Sequence, residues 1–150
     1  MDTGSEVLKT EEYMYASHAE VIETVISSLE EDQSAMVSQS EAGRFWKFKY
    51  GSVEVFVQMT GESEDDMLVV WSPVLPLPSK DDAKLMQKLL ELNWSSTFES
   101  HFCIMDNQIV VAAQRTVAEL SPGEVSRNIT VVATIADNYD EALQEEFGQS

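Results

Sequence analysis

The sequence predicts an α+β domain: a largely antiparallel sheet of about five strands with three helices, in the order α-βββ-α-ββ-α. Three observations predict it. Apolar and polar residues alternate over Arg44 to Tyr50 and again over Val53 to Met59, and the tight Tyr50-Gly51-Ser52 turn between them makes a hairpin. Apolar residues recur instead at helical spacing around Val21–Leu29, Leu85–Leu92 and Val125–Phe147. The helical stretches interrupt the strands without alternating strictly with them, which separates this pattern from a parallel α/β sheet.

The most continuous signal runs from Met67 to Trp94. Leu68, Val69, Val70 and Trp71 form a short apolar run of the kind that fills a buried strand. Pro73, Pro76 and Pro78 then remove backbone donors and set φ, so the chain is extended there, at a sheet edge or crossing out of the sheet. Ser79 reads as the N-cap of the next helix, with Asp81 and Asp82 at the positive end of its dipole. Leu85, Leu89 and Leu92 form its apolar stripe, widened by Met86 and Leu90, and Asn93 reads as its stop.

The rest of the chain is assigned around this stretch. Residues 1–12 are polar and acidic and read as a mobile leader, with a single domain over 13–150. Ser17 with Glu20 fits a capping box, although Tyr13 and Met14 could extend that helix backwards. Val21, Ile22, Val25, Ile26 and Leu29 make its apolar face, and Ala35 to Ser38 reads as a further short strand. In the first hairpin Trp46, Phe48 and Tyr50 fall on one face and Phe45, Lys47 and Lys49 on the other. Thr60 to Asp66 is an acidic loop. Thr97 to Met105 alternates again, with Phe98, Phe102 and Ile104 on one face and Glu99, His101, Cys103 and Met105 on the other. Asp106-Asn107 turns the chain into a return strand through Ile109, Val111 and Ala113. Ser121, Pro122 and Glu124 start the last helix, and Gly148 stops it.

Composition bounds the function. A chain of 150 residues suits one domain and buries roughly 70% of its unfolded surface without staples. One cysteine allows no internal disulfide, which fits a reducing cytoplasm or stroma. No apolar run reaches the ~18 residues of a membrane span, and the acidic N-terminus lacks the order of a signal peptide. The net charge of −18 repels nucleic acid and anionic lipid and favours basic proteins, basic peptides or cations; it also serves as a solubilising surface.

No cofactor and no metal site are predicted. His101 and Cys103 lie two apart on a strand and so project from one side, but no third group orients them, and no catalytic residue is assigned. His18 has no partner by spacing. Glu62, Glu64, Asp65 and Asp66 lack the length and closing Glu of a calcium loop. Asp137 and Asp140 read as a surface pair or a cap for a loop.

One feature points to function. If the helices cover the face bearing Trp46, Phe48, Val55, Phe102 and Ile104, the other face carries Phe45, Phe56, Trp71, Cys103 and Met105. That much aromatic and sulfur surface is not expected to remain in water. Either the leader or a bend of the sheet covers it, or it is a partner or dimer surface.

These residues, in this order, resemble the YbjN family of bacterial proteins, and look most like its branch in cyanobacteria and plastids. The resemblance covers about Ala19 to Phe147. It rests on the strand LVVWSPVLPLP, the helix end LLELNW, the hairpin FCIMDNQIVVAAQRTVAELSPGEV and the closing VVATIADNYDEALQEEFG. It implies the type III secretion (CesT/Tir) chaperone fold, an α+β sandwich that often dimerises and holds segments of client proteins. It also implies a cytoplasmic binding protein and not an enzyme, with a protein client or peptide segment as partner, and transfers no catalytic residue. The alternatives are a regulatory or sensory protein acting through protein contacts, and a small-molecule binder or enzyme using His101 and Cys103.

Overall fold

A computed structural model of the chain describes residues 18–149. The expected leader and the entry to the first helix at Tyr13–Ser17 lie outside the described residues. Helix α1 spans His18–Leu29, followed by β1 (Met36–Ser40), β2 (Gly43–Tyr50), β3 (Val53–Met59) and β4 (Met67–Pro76). Helix α2 (Asp82–Ser95) leads into β5 (His101–Met105) and β6 (Gln108–Thr116), and α3 (Pro122–Phe147) closes the order. All six described strands join one antiparallel sheet ordered β1-β2-β3-β4-β6-β5. The strand beyond the expected five is β1, the short stretch sensed at Ala35–Ser38.

The alternation sets the hairpins. Gly51 turns β2 into β3 at φ 54°, and Asp106 and Asn107 turn β5 into β6 at φ 50° and 62°. These are left-handed positions that Gly, Asn and Asp adopt more readily than other residues. Register then puts Trp46, Phe48, Val55, Val57, Leu68, Val70, Ile109, Val111, Ala113 and Phe102 on one face, where they form the core. Helix α3 lies across β3, β4 and β6, α1 packs on α3, and α2 sits beside β5. The start of α3 is as expected: the Ser121 hydroxyl accepts from the Glu124 N–H at 3.1 Å, and Pro122 occupies the first turn.

Several local expectations are corrected. The N-cap of α2 is Asp81, whose carboxylate accepts from the Lys84 N–H at 3.1 Å; Ser79 instead donates to Asp82. Asn93 does not stop that helix, which runs to Ser95, because its side chain is engaged elsewhere. Pro73 and Pro76 lie in β4, an interior strand, and not at an edge. They are tolerated because the β3 pairing ends at Trp71, and the pairing with β6 is irregular between Pro73 and Leu75. Phe98 lies ahead of β5 in a left-handed turn at φ 54° and is exposed. Ile104 does face the helix side, yet it is 57% exposed, because α2 stops short of covering the end of the edge strand. Leu90 is exposed as well, beside the uncovered end of that strand.

Asp140 is not a surface residue: it is 2% exposed. It accepts a hydrogen bond from the Ser52 hydroxyl at 2.8 Å, and Asp137 accepts from the Ser52 N–H at 3.0 Å. The two carboxylates thus cap the β2–β3 turn and pin it to α3, the loop-cap alternative of the sequence reading.

Candidate partner-binding surface

Strand pairing carries a line of side chains straight across a sheet, so the register identifies the face left by the core. One row reads Met36, Lys47, Phe56, Trp71, Ala112, His101. The next runs Ser38, Phe45, Gln58, Val69, Gln114, and a third joins Pro73, Val110 and Cys103. The structure therefore places Phe45, Phe56, Trp71 and Cys103 on one face, away from the core, and Met105 pairs with Gln108 at the end of that face. All five are half-buried. Phe56 and Trp71 stack directly, with ring centroids 5.4 Å apart and planes 11° from parallel. No described helix lies over this face; the core cluster contains none of its residues.

Charge is distributed unevenly with respect to this face. Glu54 is the only acidic residue in the six described strands, although the chain carries 27 acids. It pairs loosely with Lys47 at 3.9 Å, and Lys49 stands on the same face. The other described acids lie in the helices and loops, so an acid-poor apolar face sits inside an acidic molecule.

The two edges of the sheet differ. At β5 the Asn93 side chain accepts from the Phe102 N–H at 2.7 Å and donates to the Phe102 carbonyl at 3.2 Å. It occupies the backbone groups that a neighbouring strand would use. Beside this edge lie exposed apolar side chains that the alternation did not reveal: Leu90 and Ile104 along one groove, with Trp94, 93% exposed, one helical turn beyond Leu90. A groove of about 400 Å³ runs along it, lined by Met86, Leu89, Leu90, Phe102, Cys103 and Ile104. The overlooked signal was Trp94 itself, just beyond the buried stripe of α2.

The remaining candidates have plain roles. His101 and Cys103 do share the open face, but burial pushes the Cys103 thiol above its ordinary range, the reverse of what a nucleophile needs. The His18 ring hydrogen-bonds the Leu120 carbonyl at 3.0 Å. In the acidic loop Asp66 accepts from Ser63 and Thr60, and these bonds lower its pKa below the usual carboxylate range. Among the described residues no cluster of His, Cys, Asp and Glu is placed to hold a metal, and no helix is long and apolar enough to cross a membrane.

A one-sided core under the three described helices, with an apolar second face, defines an α+β sheet protein whose open surface, among the described residues, is the second side of the sheet. The family model of YbjN, described as "Putative bacterial sensory transduction regulator", matches residues 18–145, and the chain belongs to that family. No curated protein matches it in sequence. Its fold is that of type III secretion chaperones. It is similar to a chain of the crystal structure of the ExsC-ExsE complex, at 16% identity and a TM-score of 0.54, covering 71% of this chain and 80% of that one. It is also similar to a chain of the HopA1-SchA chaperone-effector complex, at 10% identity and a TM-score of 0.56, covering 85% and 95%.

Proposed function

We propose that this protein is a non-enzymatic, chaperone-like or adaptor module of the cytoplasm, folded as a single domain from about residue 13 onwards, which holds a segment of a client protein and works as a homodimer. The observation that carries this reading is the open sheet face, with Phe45, Phe56, Trp71, Cys103 and Met105 on one side of a sheet whose other side holds the core. Apolar area of this kind gains free energy when a partner removes it from water. The similarity to a chaperone-effector complex supports a protein client. The exposed Leu90, Trp94 and Ile104 give a second apolar surface, which supports self-association at the α2–β5 edge. A second reading, a regulator acting through protein contacts, is favoured by the description of the family and uses the same surface.

Affinity capture from native lysate at low and moderate salt, read by mass spectrometry, tests the client role. The wild type should retain a near-stoichiometric protein partner, and Trp71→Asp should lose it while keeping its far-ultraviolet circular dichroism. Retention of the same partner by a folded Trp71→Asp protein refutes the assignment of the face. Sedimentation equilibrium of the wild type tests the dimer, and a monomer at working concentration removes it.

A further inference from the structure

We propose that residues 1–17 are the first occupant of the open sheet face: in the free chain this acidic segment lies against Phe56, Trp71 and Lys47, and a client displaces it. This rests on the reading of that face as the partner surface, and it names the intrachain competitor that a client meets there. The face is apolar and acid-poor: Phe56 stacks on Trp71 beside Lys47, and no described helix covers them. Covering such a surface gains free energy. Where the segment joins the domain decides what it can reach. The His18 ring bonds the Leu120 carbonyl at 3.0 Å, and backbone bonds link Leu120 to Val117 and Val117 to Asp66, next to the first residue of β4. The segment therefore leaves the domain at the end of the sheet where β4 begins and β6 ends.

Trp71 lies about 13 Å along β4 from that end, and passing from the helix side to the open side adds about 10 Å. About eight residues of chain span that path. Val7 and Leu8 thereby reach the Phe56–Trp71 pair, with Glu11 and Glu12 close behind, within side-chain reach of Lys47. Charge sends the segment the same way. It carries Asp2, Glu6, Glu11 and Glu12 against one basic residue, Lys9. At its exit Glu62, Glu64 and Glu119 line the cleft beside His18 and repel it. Arg115, Arg127 and Lys88 already hold Glu124, Glu99 and Glu146, whereas Lys47 stands 3.9 Å from Glu54 and Lys49 is exposed opposite it. Tethering makes weak contacts sufficient, because a segment held at one end has an effective concentration on the order of 1 mM. A second copy, of net charge −18, has neither the tether nor the opposite charge.

Photocrosslinking of the full chain tests this. With p-benzoylphenylalanine placed at Leu8, illumination should give a monomeric product joined to the peptides of β3 and β4 that carry Phe56 and Trp71, in a yield independent of protein concentration. Crosslinks confined to the helix side overturn the proposal. So do crosslinked dimers whose yield rises with concentration, which give the face to a second copy. Nile red, a neutral apolar dye, supplies a measurement free of the crosslinker. Glu11→Lys with Glu12→Lys should bind it more tightly than the wild type, about tenfold if the segment covers the face about nine-tenths of the time, and adding Trp71→Asp should abolish the gain. Equal dye affinity in the wild type and the charge-reversed variant overturns the proposal. Client capture separates the two readings. Capture lost in Trp71→Asp, with no crosslink from position 8 to the face, rejects the segment and keeps the client surface. Capture kept in Trp71→Asp, with the crosslink formed, keeps the segment on the face and rejects the client there.

Discussion

Replacing Asn93 by alanine uncovers the β5 edge, and its cost follows from three quantities. The side chain makes two hydrogen bonds to the Phe102 backbone, at 2.7 and 3.2 Å. Each such bond contributes about 1 kcal/mol net, because water competes for the same groups. Alanine returns roughly 0.6 kcal/mol as the better helix former in the last turns of α2. The net loss is then ~1–2 kcal/mol, which lowers the midpoint of thermal unfolding by about 3–6 °C for a domain of this size. Urea unfolding measures it, with an unchanged slope showing that stability and not the unfolded state has moved. Light scattering after size exclusion reads the second consequence. An uncovered strand beside Trp94 and Ile104 should associate more readily with other copies. If Asn93→Ala unfolds at the wild-type midpoint and keeps the wild-type mass, Asn93 does not guard that edge.

Two other perturbations follow from the geometry. Gly51→Ala puts a Cβ against Asp137 Oδ1 at a residue with φ +54°, so the carboxylate must leave Ser52 and the turn is strained. A loss of about 2–4 kcal/mol is expected by chemical denaturation, and less than ~1 kcal/mol contradicts the pin between the turn and α3. Burial raises the Cys103 pKa, so the thiol stays protonated at neutral pH and gains thiolate only above the ordinary thiol range. Iodoacetamide should therefore modify Cys103 more slowly than a free cysteine at neutral pH, with the deficit vanishing in denaturant. Fast alkylation of the folded protein at neutral pH revives the nucleophile reading.

Much of the fold is legible because its signals are local. Trp46, Phe48 and Tyr50 alternate with Lys47 and Lys49, and the pleat of a strand turns that alternation into two faces without help from the rest of the chain. Ser121, Pro122 and Glu124 start α3 through bonds spanning three residues. Family membership was legible on the same grounds, as turn, cap and core positions in order. Alternation misleads where burial depends on a remote neighbour. Ile104 has the parity of a core residue, but at an edge strand no second element is obliged to cover it. Ser79 and Asp81 are both competent caps, and the backbone path out of β4 selects Asp81.

The candidate surface divides in the same way. Period-two spacing assigns Phe45, Phe56, Trp71, Cys103 and Met105 to one set of strand faces, since side-chain direction within a strand depends only on parity. Which strands lie side by side is a long-range matter. The chain order places β5 next after β4, whereas the sheet inserts β6 between them and sends β5 to the edge. That choice gives Asn93 the Phe102 backbone to cover, while among the described residues β1 forms the opposite edge. Side-chain direction is written residue by residue along the chain. Neighbourhood, cover and open edges arise only when distant segments compete for the same hydrogen bonds and the same apolar face.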